Sequence, residues 1–202
     1  MIYVIKHKPY NTAYVEGYED LNVGALETLA KYNPCINELT GLYEIWKKPD
    51  KYKGLVHYRR FFIEGGEFLT LTRAKEILCE YDVITTVDYE PQTPLRCLLN
   101  NLDNDLVGKY VSMLPDECIN FMATHHAYNI CNMFVSKREF IDSYCEWLFP
   151  KIIPLCEQFM KEDLTGDTKR NRTIGFIGEI LFGYWCSNAK RYRLLVKDGG
   201  IS

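Results

Sequence analysis

The chain carries no strong charge of either sign. Its 24 lysines and arginines stand against 27 aspartates and glutamates, a formal net charge of −3 over 202 residues. No basic field therefore points to nucleic acid. Histidine is scarce: there are four, of which only His125 and His126 are neighbours, and a pair without further converging ligands is weak evidence for a metal. Eight cysteines are present but none forms a C-x-x-C pair. That spacing argues against zinc and leaves free thiols in a reducing compartment as the expectation. The opening MIYVIKHKPY breaks its apolar run at Lys6, His7 and Lys8 and lacks the pattern of a signal peptide, so a cytoplasmic location is expected. No stretch approaches the length of a membrane span. The P-loop, the G-x-G-x-x-G fingerprint and the G-x-S-x-G elbow are all missing, which removes the commonest phosphate-loop and hydrolase signatures.

What remains is an ordinary globular balance, 47% hydrophobic and 25% charged, with 15 tyrosines. That length and balance suit a single domain able to bury a full core. Short β-branched runs predict strands at residues 2–7, 53–58, 82–86, 132–135 and 192–196. Between them, helical periodicity appears behind Asn37, a good N-cap type, with Leu39, Leu42, Tyr43 and Trp46 on one face. Thr72 is expected to cap a helix before the third strand. Thr93-Pro94 reads as a cap with proline at the first helical position. Ser136 to Glu139 reads as a capping box opening a helix that Pro150 and Pro154 should kink or interrupt. A last helix near residues 174–187 is weakened by Gly175, Gly178 and Gly183. The alternation of strand and helix predicts an α/β fold with a mostly parallel central sheet flanked by helices.

The stretch GLVHYRRFFI, Gly54 to Ile63, places His57, Tyr58, Arg59 and Arg60 at the end of a core strand. Ligands of open α/β sheets bind beyond the carboxyl ends of strands. Those ends here gather His7 and Lys8, the His57–Arg60 run, and Asp88. Cations, aromatic rings and a carboxylate in one crevice suit a nucleoside diphosphate or a sugar attached to one. Two alternatives stay open. Arg59 and Arg60 are equally suited to a structural network with Glu64, Glu67 or Asp88. Glu179, alone among apolar residues and glycines, is either the solvent edge of its helix or a base facing the site.

Blocks of residues across nearly the whole chain resemble a known family. They are IYVIKHKP, NVGA, NELTGLYEIWKK, GLVHYRRFF, YDVI, NMFVSKREFIDSYCEWLF and GFIGEILFGYW, in that order. The family is bacterial, once labelled only as a domain of unknown function. Its members sit among capsular and exopolysaccharide glycosyltransferases, some of them galactofuranosyltransferases. The chain departs from the pattern at Asn37, where cysteine is common, and at Ile180, where arginine is expected.

The resemblance implies a single GT-A-like nucleotide-sugar transferase domain over residues 1–202. Residues 1–90 would be the nucleotide-sugar-binding half, and 91–202 a mostly helical acceptor-side half. The expected reaction is transfer of a hexosyl group, galactofuranosyl being one option, from a UDP-sugar to a glycan or lipid-linked oligosaccharide, with inversion. His57, Tyr58, Arg59 and Arg60 would bind the diphosphate. They stand where such folds usually place an Asp-x-Asp metal motif, so no metal is expected, the alternative being Mn²⁺ or Mg²⁺ near Asp88. His7, Lys8, Glu38 and Thr40 would serve the nucleotide side, and Asn132 and Arg172 the acceptor side. Glu179 is the expected base, with Asp88 second. A catalytically inactive nucleotide-sugar-binding protein is the alternative reading. Tyr184, Trp185, Lys190, Arg191 and Arg193 form a basic aromatic cluster able to touch the inner membrane face, or simply a solvated surface.

Overall fold

The computed structural model describes residues 1–7, 10–23, 29–89, 92–126, 128–129, 131–161 and 172–200. The first strand, β1 (Ile2–Lys6), is buried along its whole length, as a strand covered on both faces must be. It pairs in parallel with β2 (Tyr18–Asn22) on one side. Two helices, α1 (Asn33–Ile36) and α2 (Glu38–Lys47), then lead to β3 (Tyr52–His57), which pairs in parallel with the other side of β1. The chain turns into β4 (Phe61–Glu64) and β5 (Glu67–Phe68), followed by α3 (Leu71–Ile77), β6 (Val83–Thr86) and β7 (Asp88–Tyr89). A helical stretch follows: α4 (Pro94–Asn101), α5 (Asn104–Val111) and α6 (Asp116–Thr124). Then come β8 (Tyr128–Asn129), β9 (Phe134–Lys137), α7 (Arg138–Phe159), α8 (Thr173–Cys186) and β10 (Arg191–Lys197).

Eight strands form one sheet in the order β2-β1-β3-β9-β6-β10-β4-β5, and β7 pairs with β8 separately. Only β9 and β4 run against the other strands of the large sheet. Strand direction is thus mostly shared, as expected, but a reversed strand sits at the centre. Because β9 and β10 come from the second half of the chain, the two halves share this sheet. The sheet curls. Ile2, Val4, Val56, Phe61, Ile84, Val135 and Leu194 pack together on its inner face. Their alternating neighbours Tyr3, Ile5, Leu55, Val83 and Phe134 meet the helices on the other face, the period-two division a strand imposes.

Several local expectations change. Asn37 ends α1 and precedes α2 at φ 48° without a side-chain cap bond. Thr70, not Thr72, caps α3, accepting from the Arg73 amide. The Ser136 capping box does not form, because Ser136 belongs to β9 and its hydroxyl donates to the Asp82 carbonyl at 2.6 Å. The helix α7 runs through both Pro150 and Pro154. Thr93 caps α4 as expected, with Pro94 opening the helix. The glycines of α8 have a packing reason. A Cβ on Gly175 would lie 2.5 Å from Asn37 Nδ2, and one on Gly178 would lie 2.5 Å from Leu39 Cδ1. The bare backbone lets α8 approach the α1–α2 corner closely. No helix among the described residues is long and apolar enough to cross a membrane. In the basic aromatic cluster, Arg191 and Arg193 both bind Asp88, and Lys190 sits over the Tyr81 ring at 4.7 Å.

Candidate active site

A cleft of about 490 Å³ opens at the carboxyl ends of β1 and β3. The HYRR run forms its floor as a tight turn: β3 ends at His57, and the Arg60 amide donates back to the His57 carbonyl at 2.9 Å. Tyr58 anchors this turn. It is buried, with its ring edge-on to His7 at 5.1 Å and to Tyr10 at 4.8 Å. The Arg59 guanidinium rides 5.1 Å above the Tyr58 ring, a cation–π contact that spares it a carboxylate partner. Glu38, at the first turn of α2, and Arg172, just before α8, complete the opposing wall.

Two of the three carboxylates suited to neutralise the turn are engaged elsewhere. Glu64 accepts from Arg73 at 2.7 and 3.2 Å and from the Tyr192 hydroxyl at 2.6 Å. Asp88 receives a bidentate pair from Arg191 at 2.6 and 3.0 Å and a third bond from Arg193 at 2.9 Å. Among the described residues neither Arg59 nor Arg60 makes an ion pair with a carboxylate. Both are exposed. With Arg172 they give the cleft an excess of fixed positive charge over Glu38, the arrangement that favours a phosphate-bearing ligand.

Behind the arginines, one residue joins three candidate groups. Cys131 has φ 77° and Asn132 φ 48°, a left-handed pair without glycine just before β9. The Cys131 amide donates to Glu179 Oε2 at 3.2 Å, its carbonyl accepts from His57 Nε2 at 2.6 Å, and its Sγ accepts from Arg60 Nη1 at 3.0 Å. The carbonyl partner requires the proton on Nε2, and burial holds the His57 pKa down. His57 Nδ1 then faces Glu38 Oε1 at 3.6 Å. Glu179 is pushed up to about 7, first by burial and then by the Glu38 charge, against the pull of the Cys131 amide, Arg172 and Arg60. Burial likewise pushes the Cys131 thiol up to about 11, so it is a poor nucleophile near neutrality.

Glu179 also faces a second, smaller cavity of about 250 Å³ between α4 and α8. Its walls are mainly apolar: Leu98 and Leu102 on one side, Phe176 and Ile180 on the other, with Tyr128 across one end. The carboxylate thus lines the apolar cavity while feeling the charges of Glu38, Arg172 and Arg60 from the cleft.

The structure brings together His7, Glu38, His57, Tyr58, Arg59, Arg60 and Arg172 around the cleft, with Glu179 behind them. It separates others. Thr40 is buried and its hydroxyl donates to Asn33 Oδ1 at 3.1 Å, so it braces the α1–α2 corner. Asp88 is not among the cleft-lining residues, and its oxygens accept from Arg191 and Arg193. Among the described residues no group of three His, Cys, Asp or Glu side chains could hold an ion. Within the cleft a divalent cation would sit among guanidinium groups with Glu38 as its main carboxylate, so the donor set does not fit one. Asn132 is buried beside Cys131 with its Nδ2 unpartnered. Lys8 lies outside the described residues. Cys131 is the residue that sequence reasoning missed, since its partners lie 48 to 74 positions away.

The mixed, helix-flanked sheet with its cleft at the strand ends is consistent with a GT-A-like fold. The chain belongs to the family described as Domain of unknown function (DUF4422), whose model matches residues 1–190. Among solved structures it is similar to the apo structure of the WbbM bifunctional glycosyltransferase, with a TM-score of 0.72 at 17% identity. The match covers 96% of this chain and 44% of that one, so the chain spans less than half of that protein's length. No curated protein matches the chain.

Proposed function

We propose that the chain is a glycosyltransferase that moves a hexosyl group, galactofuranosyl being one option, from a UDP-sugar to an acceptor in surface-polysaccharide synthesis. The observation that carries this reading is the turn at Arg59 and Arg60: two arginines without a carboxylate partner among the described residues, at the strand ends of a fold shared with a glycosyltransferase. Arg59, Arg60 and Arg172 would grip the diphosphate oxygens and take up the charge that grows as the leaving group departs. The acceptor hydroxyl attacks the anomeric carbon, the bond from that carbon to the diphosphate oxygen breaks, and the hydroxyl proton passes to Glu179. A carboxylate near pKa 7 is matched to that task at neutral pH. Attack from the side opposite the leaving group would invert the anomeric configuration. His57, neutral and bound to the Cys131 carbonyl, would position the corner that holds Glu179. Arginines on the diphosphate would make the reaction metal-independent, which the committed oxygens of Asp88 support.

The test is calorimetric titration of UDP into the wild type, Arg59→Ala and Arg60→Ala, first in chelator and then with Mn²⁺. The clamp predicts binding in chelator, weakened about 10- to 100-fold in each variant, from charge-assisted bonds of ~1.5–3 kcal/mol. Binding only with Mn²⁺ would replace the clamp with a metal. No binding in either condition would sink the UDP-donor reading. The second reading, a nucleotide-sugar-binding protein without transfer, predicts UDP binding but no donor consumption with any glycan acceptor.

A further inference from the structure

We propose that the apolar cavity beside Glu179 is a subsite for one sugar ring of the acceptor, seated with a hydroxyl on the Glu179 carboxylate. The inference rests on the transferase reading above and names the part of the acceptor that this site selects.

The cavity's lining decides its occupant. Among the described residues no lysine or arginine lines it, which argues against a second phosphate site. Its apolar walls end on a carboxylate, which a plain alkyl chain would cover without giving it a hydrogen bond, a costly arrangement for a buried polar group. A sugar ring meets both demands. Its C–H face packs on the Phe176 and Tyr128 rings while a hydroxyl reaches the carboxylate, and Asn101, whose Nδ2 donates to the Cys97 carbonyl, adds a polar side chain to the lining. At about 250 Å³ the space is on the scale of a single ring rather than an oligosaccharide.

The register of α8 joins the two compartments. Arg172 in the cleft, Phe176 in the cavity, and Glu179 with Ile180 follow at the i+4 and i+3 spacings of one helical face. The Arg172 guanidinium lies 5.5 Å from the centroid of the Phe176 ring. A donor held by Arg172 and a ring held by Phe176 would meet beside Glu179. Phe176 and Tyr128 are then specificity-determining residues for the acceptor.

The experiment is methyl-resolved NMR of Leu98, Leu102 and Ile180 during titration with methyl glycosides of galactose, glucose, mannose and N-acetylglucosamine, with and without UDP. n-Hexanol is the apolar control. The expected result is saturable shifts at these methyls from at least one hexoside at millimolar concentration. Phe176→Leu, which keeps an apolar wall, should weaken that binding about 5-fold. Its urea midpoint checks that the fold persists, and Cys97→Trp, which puts a bulky ring on a residue lining the cavity, should abolish the shifts. If no hexoside moves these methyls, or only n-hexanol does, the subsite is overturned while UDP binding in the cleft stands. If hexosides bind but UDP does not, the donor reading and with it the acceptor role fall.

Discussion

Glu179→Gln is expected to abolish transfer and, above neutral pH, to make the protein more stable. The carboxyl titrates near 7 in the fold against an ordinary value of 4.5. The folded state therefore holds a proton that the unfolded chain releases between those two pH values. Stability falls as pH rises through that window, by ~1.4 kcal/mol per pH unit and about 3 kcal/mol in all. Below pH 4.5 both states are protonated and the contribution vanishes. Glutamine copies the protonated acid: its amide oxygen can still accept from the Cys131 amide, and it never has to ionise. Urea denaturation of both proteins from pH 4 to 8 gives the difference directly, because other titrating groups cancel. The variant should match the wild type near pH 4 and exceed it by about 2–3 kcal/mol at pH 8. The wild-type transfer rate should rise with pH through about 7 as the base form appears, whereas the variant should be at least ~100-fold slower throughout. A stability difference that stays flat with pH would refute the elevated pKa, and an active Glu179→Gln would remove this residue as the base.

Glu38 is the second cause of that elevation, so Glu38→Gln should move the acid limb of the rate profile to lower pH; an unmoved limb would assign the shift to burial alone. Asp88→Asn leaves Arg191 largely buried with its main carboxylate gone, and should cost about 3 kcal/mol in urea with the UDP affinity unchanged. A lost UDP affinity would return Asp88 to the donor site. Gly178→Ala drives a methyl to within 2.5 Å of Leu39 Cδ1 in the core. Over-packing of about 1–3 kcal/mol should outweigh the ~1 kcal/mol that alanine gains in a helix, and a raised urea midpoint would show that α8 does not pack as tightly as described.

What could be read in the sequence was whatever lies in a short window. The fully apolar β1 and the β-branched β6 announce buried strands, and Thr93-Pro94 announces a helix start. The cationic run at the end of β3 was legible too, although its turn was not. The missed elements carry no such local mark. In β2, YEDLN, Glu19, Asp20 and Asn22 are exposed, and an edge strand of that kind reads as a loop. Ser136 matched a capping pattern but was claimed by the β9 ladder, where tertiary pairing outweighs a local motif. The glycines of α8 looked like a propensity defect because their purpose, contact with Asn37 and Leu39, appears only when helices are packed. Asp88 fitted the site by its place at a strand end, yet its partners sit over a hundred residues downstream on β10.

The left-handed pair at Cys131 and Asn132 ties these threads together. Holding two non-glycine residues at positive φ costs of order 1–3 kcal/mol each, and such a conformation persists only where its surroundings over-determine it. Three contacts do so here: the Glu179 carboxylate on the amide, the His57 ring on the carbonyl, and the Arg60 guanidinium on the sulfur. Glycine would relieve the backbone but would remove the sulfur that meets Arg60. Serine would keep a polar atom there, but a smaller one on a shorter bond. The strained corner thus ties the Glu179 carboxylate, the proposed base, to Arg60, the proposed diphosphate ligand. A base placed for attack is of use only when the diphosphate is held at the matching depth. Because Glu179 and Arg60 share this one backbone unit, neither can shift without disturbing the other's anchor. If both act in transfer as proposed, energies from single substitutions at these two sites should not add.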